Sequence, residues 1–212
     1  MRRASPSRAQ RLEERLGAAF FARSVHAVAR DLIGCRLLYE GRGGTIVETE
    51  SYERDDPACH AFVGLTPRTE TLFGPPGRAY VYLSYGIHSL LNFVAEPEGD
   101  AAAVLVRALE PTHGVEEMRA RRGDPLAPGT RKSPRRDTDL CSGPGKLTEA
   151  IGVDLGDNGA DLSREPFLLQ PREPGWNGEI VTGPRIGITK AVERPWRFCL
   201  AGSPFVSKPR PR

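Results

Sequence analysis

Two carboxylates and a phenol alternate along the segment IVETESY, residues 46–52. In a β-strand, this alternation places Glu48, Glu50 and Tyr52 on one face and the residues between them on the other. Two carboxylates beside an aromatic ring suit a hydrolase, in which one activates water and the other adjusts the local charge. An exposed polar face on an edge strand is the simpler interpretation of an isolated Glu-Thr-Glu. The apolar residues before Glu48 favour a strand near the core, and therefore a functional role for the carboxylates.

Three of the five tyrosines fall within RAYVYLSYGIH, residues 78–88. Tyr80 and Tyr82 share one face of the predicted strand, whereas Tyr85 has the opposite parity and lies at a turn. The turn is expected to project Tyr85 and Ile87 from a hairpin tip, where exposed apolar groups are costly unless a partner covers them. One such partner is DNA, into which an apolar side chain can be wedged between base pairs. The alternative is that all three tyrosines fill a β-sheet core, as strand tyrosines commonly do.

His60 follows Tyr52 after a short loop, so both side chains could line one pocket. A single histidine is more often an ordinary surface or core residue. No second histidine or carboxylate stands near His60 at metal-ligand spacing, and the four cysteines form no CxxC pair. We therefore predict no metal and no cofactor, and we expect the cysteines to be separate reduced thiols.

Periodicity predicts the elements that must position these residues. Strands are predicted in CRLLYEG, GGTIVETESY, RAYVYLSY, SLLNFVAE, AAAVLVRALE, PRIGITKA and WRFCLAG. Helices are predicted in SVHAVARDLIG with Ser24 as cap, in THGVEEMRARR, and in SGPGKLTEAIG with Ser142 as cap. The polar loop at 53–76 is long enough to suggest a function. We predict one α+β domain: a mostly antiparallel, curved β-sheet flanked by helices, with a protruding β-hairpin.

Composition and charge suggest where such a domain works. The 212 residues are 39% hydrophobic, which is enough for a real core, and no apolar run is long enough to span a membrane. The net charge is only +3, but basic residues concentrate at 1–16, at 118–146 and at the end. Such segments suggest a polyanion partner, although solvated arginine-rich loops explain them equally well. We predict a soluble cytoplasmic protein with a basic arm at 1–16, a domain at 17–207 and a basic tail at 208–212.

The motifs together resemble the 3-methyladenine (alkyladenine) DNA glycosylase family. The resemblance is carried by IVETESY, the histidine of CH, RAYVYLSYG, the asparagine of LLNF, VLVRALEP and CSGPGKL, in the family's order and near its spacing. It spans roughly residues 30–150, with GSPFVS near the end. It implies an enzyme that flips a damaged purine out of duplex DNA and hydrolyses its N-glycosidic bond.

The resemblance also implies roles for the residues around the base. Glu50 matches the carboxylate that activates water. Arg107 matches a positively charged residue near that water. Tyr52, His60 and Tyr82 match the residues that sandwich the flipped base.

Two further roles concern insertion into the duplex and selectivity. Tyr85, with Ile87 beside it, matches the side chain inserted into the space that the base leaves. Asn92 matches a residue that disfavours guanine. The expected partner is double-stranded DNA containing damaged purines, such as 3-methyladenine, 7-methylguanine or hypoxanthine, bound by a nucleoid-associated monomer with no membrane attachment.

Two other classes remain open on the residues alone. A non-catalytic minor-groove DNA-binding protein would use a hairpin wedge and basic arms, but it would not need Glu50. A nucleoside hydrolase would use a carboxylate, but it would not need the basic segments or the hairpin tip.

Overall fold

The computed structural model describes residues 14–123 and 135–211. Within these residues, eight strands form one antiparallel sheet against which the helices pack. The strands are β1 (Arg36–Tyr39), β2 (Arg42–Tyr52), β3 (Ala79–Ser84), β4 (His88–Ala95), β5 (Ala102–His113), β6 (Phe167–Gln170), β7 (Ile180–Gly183) and β8 (Arg197–Leu200). The helices are α1 (Ala18–Phe21), α2 (Val25–Leu32), α3 (Val115–Arg121), α4 (Asp137–Leu140) and α5 (Pro144–Ile151). The predicted α+β class with a mostly antiparallel sheet is confirmed.

The sheet is organised around the two long strands β2 and β5. Its main path runs β3-β4-β5-β2-β1-β6, so the predicted meander of β3, β4 and β5 is confirmed. The far edge of β2 is shared, because β1 pairs with its first residues and β8 with residues 48–50. Strand β7 extends the sheet beyond β8. As a result, the middle of β2 has β5 on one side and β8 on the other.

The pairing of β2 with β5 is interrupted by β-bulges at its centre. Ile46 lies opposite Leu109 and Glu48 opposite Ala108, which leaves Val47 as an extra residue on β2. The next shift makes Arg107 the extra residue on β5. A bulge bends its strand and redirects the side chain of the extra residue.

Helix α2 covers one face of the sheet. Its buried residues Val25, Val28, Ala29 and Leu32 recur at helical spacing, as the sequence predicts. Ser24 occupies the position before the helix, but its side chain makes no capping hydrogen bond. The opposite face of β2 is therefore the one that remains for a site.

Two local predictions require correction. Gly143, and not Ser142, occupies the cap position of α5, with Pro144 as the first helical residue; proline suits that position because its missing N–H has no helical partner there. The segment 184–191 contains no strand, since β7 ends before it. The predicted loop at 53–76 contains 3₁₀ turns at His60–Val63 and Glu70–Phe73.

The β3–β4 hairpin has the predicted exposed tip. Ser84 pairs with His88, so residues 85–87 form the connection. Tyr85 is 89% exposed and Ile87 is 74% exposed. Tyr85 has φ 51° and Gly86 has φ 70°, a left-handed conformation that is free for glycine and costs a side-chain-bearing residue about 1–2 kcal/mol.

Parts of the predicted basic segments fall outside the described residues. Residues 1–13 of the arm, residues 124–134 of the arginine-rich loop and the last residue of the tail lie outside them. In the described part of the chain, no helix has the length and apolar character needed to cross a membrane. All four cysteines are buried and free.

Candidate active site

Glu48 belongs to a buried ionic cluster at the junction of β2, β5 and β8. Its Oε1 accepts hydrogen bonds from Arg107 Nε and Arg197 Nε, each at 2.8 Å. The Ser207 hydroxyl also donates to Oε1 at 2.8 Å, and the Ser207 N–H donates to Oε2 at 2.7 Å. Burial alone would raise the pKa of Glu48, but Arg107, Arg197 and the Ser207 hydrogen bonds together lower this pKa below its ordinary value. Glu48 is therefore an ionised structural carboxylate.

Glu50 is fully buried but has a different set of partners. Its Oε2 accepts from the Tyr52 hydroxyl at 2.8 Å and from Arg107 Nη1 at 3.2 Å. Its Oε1 accepts from the Ile186 N–H at 2.8 Å. Burial raises the pKa of Glu50 despite these donors. The result is a carboxylate that is more basic than an exposed one, as a general base requires.

Strand alternation and the bulge explain how this arrangement forms. Glu48 and Glu50 both contact Arg107, whereas the Thr49 hydroxyl points to the other face and donates to the Ala29 carbonyl at 2.8 Å. Arg107 is the extra residue of the β5 bulge, and from there its guanidinium reaches both carboxylates. The predicted face of β2 is thus present, and Arg107 bridges it.

A cavity of about 460 Å³ lies beside these residues. Of the residues predicted to form the site, those lining it are Tyr52, His60, Tyr82, Tyr85, Asn92 and Arg107. Glu50 lies behind this wall and connects to the cavity through Tyr52 and Arg107. Ile87 does not line the cavity; it stands on the exposed hairpin tip. The cavity volume is in the range of small-molecule sites, which is sufficient for a purine.

One wall of the cavity is aromatic. The His60 and Tyr82 rings are 4.5 Å apart between centroids, and Tyr80 and Tyr82 are 5.5 Å apart. His60 Nδ1 lies 2.9 Å from the Tyr80 hydroxyl, which fixes the imidazole ring. Burial and the neighbouring Arg68 lower the pKa of His60, so the ring is neutral at physiological pH. Tyr80 is nearly buried and yet lines the cavity together with Tyr82, with which it shares one face of the strand.

Asn92 presents a fixed amide to the cavity. It lies on β4 and is 4% exposed. Its Nδ2 donates to the Tyr80 carbonyl at 3.2 Å and to the Leu90 carbonyl at 3.3 Å. Because both amide hydrogens are engaged by backbone, the side chain cannot rotate freely, and a group entering the cavity meets a rigid wall.

Behind Tyr52 lies a buried ion pair that the sequence does not reveal. Arg185 hydrogen-bonds Asp56 through both terminal nitrogens, and its guanidinium carbon lies 4.5 Å from the centre of the Tyr52 ring. The next residue, Ile186, supplies the N–H that Glu50 accepts. The partners are too far apart in the chain for spacing to relate them, and the segment was predicted as a strand.

A second cleft, of about 630 Å³, begins on the other side of Arg107. Besides Arg107, which is paired with Glu48 and Glu50, four basic side chains and one carboxylate line it: Arg136, Lys146, Lys208, Arg210 and Asp139. A cleft with this charge is suited to a polyanion. The positive charge predicted near the end of the chain and around 136–146 is therefore concentrated beside the cavity.

Comparison with known proteins gives a consistent result. The methylpurine-DNA glycosylase family profile matches residues 19–204. A protein of Rhodopseudomonas palustris is 57% identical over 91% of this chain and 88% of its own length. Proteins of Bradyrhizobium diazoefficiens (54% identical, 95% of each chain) and Nitrosospira multiformis (52%, 89% of this chain and 92% of the relative) are similar. Each of these relatives is named "Putative 3-methyladenine DNA glycosylase". The chain belongs to the methylpurine-DNA glycosylase family, and it is a DNA glycosylase of base excision repair.

Proposed function

We propose that the protein removes alkylated and deaminated purines, of the 3-methyladenine, 7-methylguanine and hypoxanthine type, from duplex DNA by hydrolysis. The observation that carries this proposal is the buried Glu50, held by Arg107 and Tyr52 beside an aromatic cavity of purine size. An enzyme that acts on C1′ of a stacked nucleotide must extrude that nucleotide. Extrusion costs a few kcal/mol and is cheapest for damaged or mispaired bases.

In this proposal the extruded base occupies the aromatic cavity. Tyr52, His60 and Tyr82 offer the surfaces against which it stacks, and each such contact returns about 1–3 kcal/mol. Asn92 stands where its fixed amide would meet the edge of the purine. Its rigidity is what allows a 2-amino group to be rejected by steric exclusion.

The chemical step is hydrolysis with Glu50 as general base. A water oxygen forms a bond to C1′ while the C1′–N bond breaks and its electron pair leaves with the base. Glu50 takes a proton from the water, and Arg107 holds the carboxylate in its ionised form beforehand. The sugar passes through an oxocarbenium-like state, as in glycoside hydrolysis. A cationic alkylpurine leaves neutral; hypoxanthine leaves as an anion unless it gains a proton.

The outcome is expected to be an abasic site and not a cleaved strand. A lyase step requires an amine nucleophile that forms a Schiff base. Among the described residues that line the cavity there is no lysine. This composition supports simple hydrolysis.

The hairpin tip is assigned to the vacated space in the duplex. Tyr85 is the most exposed of the large apolar side chains in the described residues, and it also borders the cavity. Its strained backbone is the kind of feature that concentrates at functional sites. A wedge at this position would keep the stack open while the base is in the cavity. We further propose that the enzyme acts as a monomer.

The test uses duplex oligonucleotides that each carry one lesion at a defined position. After incubation, alkali cleaves the strand at abasic sites, and the fragments are separated by length. We expect cleavage only at the lesion and only after alkali. Tight binding of lesion duplexes without any base release would instead indicate a non-catalytic minor-groove binder. Sedimentation of the protein with and without DNA tests whether the protein is monomeric.

A further inference from the structure

Arg68 lines the cavity but has no part in holding Glu50. It lies between the two 3₁₀ turns of the 53–76 loop. Its Nη2 is 3.4 Å from His60 Nε2, and its guanidinium carbon is 5.8 Å from the centre of the Tyr82 ring. Because the guanidinium only donates, Nε2 of His60 is the acceptor and Nδ1 carries the hydrogen. Arg68 therefore contacts two of the residues against which a flipped base is expected to stack.

The loop holds Arg68 at this place through its neighbours. Thr69 is 1% exposed, and its hydroxyl donates to the Gly64 carbonyl at 2.9 Å. The N–H of Thr66 in turn donates to the Thr69 hydroxyl at 2.8 Å. This network fixes the backbone on both sides of Arg68, while the arginine side chain itself remains at the cavity mouth.

The charge of Arg68 is the unbalanced one at the cavity. The other lining arginine, Arg107, is paired with Glu48 at 2.8 Å and with Glu50 at 3.2 Å. Glu48 is also paired with Arg197 at 2.8 Å, so these four groups sum to zero. Within the described residues, no carboxylate lies within salt-bridge distance of Arg68. A base in the cavity therefore faces one net positive charge.

Purine lesions differ in their own charge. An N3-alkylated adenine is cationic within the nucleotide, whereas hypoxanthine is neutral. A positive charge at the cavity repels the cationic base as it enters and does not repel the neutral one. We propose that Arg68 is a specificity-determining residue that shifts the preference of the cavity from cationic toward neutral purine lesions. This inference rests on the proposed function.

The two stages of the reaction respond differently to Arg68. Entry of the base is hindered by Arg68 only when the base is cationic. When the base departs, it takes the electron pair of the C1′–N bond and gains about one negative charge. This holds for cationic and neutral lesions alike, so Arg68 assists the departure of both equally. For a cationic lesion the two effects oppose each other and largely cancel. For a neutral lesion only the assistance remains, and removing Arg68 should therefore slow neutral lesions selectively.

The expected size of this effect is modest because Arg68 is exposed. Water screens a charge at the cavity mouth, although a bound base displaces part of that water and strengthens the interaction. We expect Arg68→Gln to slow hypoxanthine release about three- to tenfold and to change 3-methyladenine release by less than about twofold.

The experiment measures single-turnover release of both bases at pH 8, where His60 is neutral. One substrate is a duplex with hypoxanthine at one position; the other is methylated duplex DNA, from which released 3-methyladenine is quantified by chromatography. Arg68→Lys keeps the charge and should keep the ratio of the two rates. Arg54→Gln is the matched control, because Arg54 is an exposed arginine stacked on Phe73 at 5.7 Å and does not line the cavity.

The ratio of rates separates the possible outcomes. An increase in the 3-methyladenine to hypoxanthine ratio in Arg68→Gln alone supports the proposal. An equal loss on both lesions would mean that Arg68 only contacts the DNA backbone, and it would overturn the inference while leaving the proposed function intact. Failure of the unmodified enzyme to release either base would overturn the proposed function itself.

Discussion

Glu48 and Glu50 are chemically identical side chains, two residues apart on β2, and their surroundings give them opposite properties. Both are fully buried. Two arginines lower the pKa of Glu48 against the effect of burial, whereas burial outweighs the single arginine at Glu50 and raises its pKa. Pairs of carboxyl groups separated in this way commonly have separate tasks. This difference supports the proposal that Glu50 activates water, with a structural role for Glu48.

The role of Glu50 is tested by Glu50→Gln. The amide keeps the size of the side chain but cannot accept a proton from water, so excision should fall by about 10²–10⁴-fold. Binding of lesion duplexes should be retained, because Glu50 lies behind the cavity wall. Single-turnover rates and a binding isotherm on the same duplex give both quantities. A variant with an unimpaired rate would remove Glu50 from the mechanism.

Tyr52→Phe tests how the ionised form of Glu50 is maintained. The Tyr52 hydroxyl donates to Glu50 and thereby lowers the pKa of Glu50, in opposition to burial. Because the base must be ionised, the rate should rise with pH through this pKa, and Tyr52→Phe should move that limb to higher pH. Tyr80→Phe is the control, since its hydroxyl lies against His60. An unshifted limb in Tyr52→Phe would contradict the assignment.

Asn92→Ser tests selectivity at the purine edge. The shorter side chain removes the fixed amide from the cavity and makes room for an exocyclic amino group. We expect measurable release of normal guanine, with little change for hypoxanthine, which lacks that group. The ratio of the two rates is the quantity to measure. If the ratio is the same in both proteins, Asn92 does not contact the base.

At the scale of elements, the β3–β4 hairpin combines buried strands with an exposed tip. Away from the tip, Tyr80 is 3% exposed and packs with Tyr82 and His60. The start of β4 is supported from α5, where the Thr148 hydroxyl donates to the Ser89 carbonyl at 2.6 Å. Because the strands of the hairpin are held rigidly, its tip can deliver a side chain to a defined place.

Tyr85→Ala and Tyr80→Ala should therefore have opposite effects. Tyr85→Ala should leave the melting temperature of the free protein nearly unchanged, because an exposed side chain contributes little to stability. It should nevertheless weaken base flipping, measured by the fluorescence of 2-aminopurine placed beside a lesion. Tyr80→Ala should lower the melting temperature, since large-to-small changes in a core cost about 3–5 kcal/mol for aromatic residues.

The comparison between the two variants decides the role of the tip. If Tyr85→Ala destabilises the free protein as much as Tyr80→Ala and still flips bases normally, Tyr85 is a packing residue and not a wedge.

At the scale of the whole molecule, the Glu48 cluster joins parts of the chain that are distant in sequence. Arg107 reaches Glu48 from β5 and Arg197 reaches it from β8. Arg197 also donates to the Ser207 and Pro209 carbonyls, at 3.0 and 2.8 Å. The segment after β8 is thereby fastened to the centre of the sheet, close to the basic cleft.

Glu48→Gln should destabilise the whole fold. Removing one member of a buried ionic cluster leaves charge uncompensated and costs about 3–5 kcal/mol. Because the folded pKa of Glu48 lies below its ordinary value of 4.5, its contribution is fully present above that pH and is lost as pH falls through the folded pKa. The stability difference between the two proteins, measured by denaturant unfolding, should shrink in acid. A difference that does not depend on pH would show that packing and not charge is responsible.

The sequence by itself determined strands β1 to β5 and β8, the main helices and the parity of the site. Alternation placed Glu48, Glu50 and Tyr52 on one face of β2, and the turn after Ser84 predicted the exposed tip. These features depend on residues close in the chain, whose relation is set by the two- and 3.6-residue periods of local structure. The motif set also indicated the family, which the comparisons confirm.

The tertiary structure decided what those residues become chemically. Arg107 reaches both carboxylates from a bulge that no periodicity predicts, and the Asp56–Arg185 pair joins loops 129 positions apart. Segment 184–191 is irregular, so that the Ile186 N–H is free of strand pairing and can donate to Glu50. Burial raises the pKa of both carboxylates, and their different partners separate the two values; both influences exist only once the sheet, the loops and the C-terminal segment have closed around them. Long-range contacts and desolvation depend on the entire fold, and a local pattern carries no record of either.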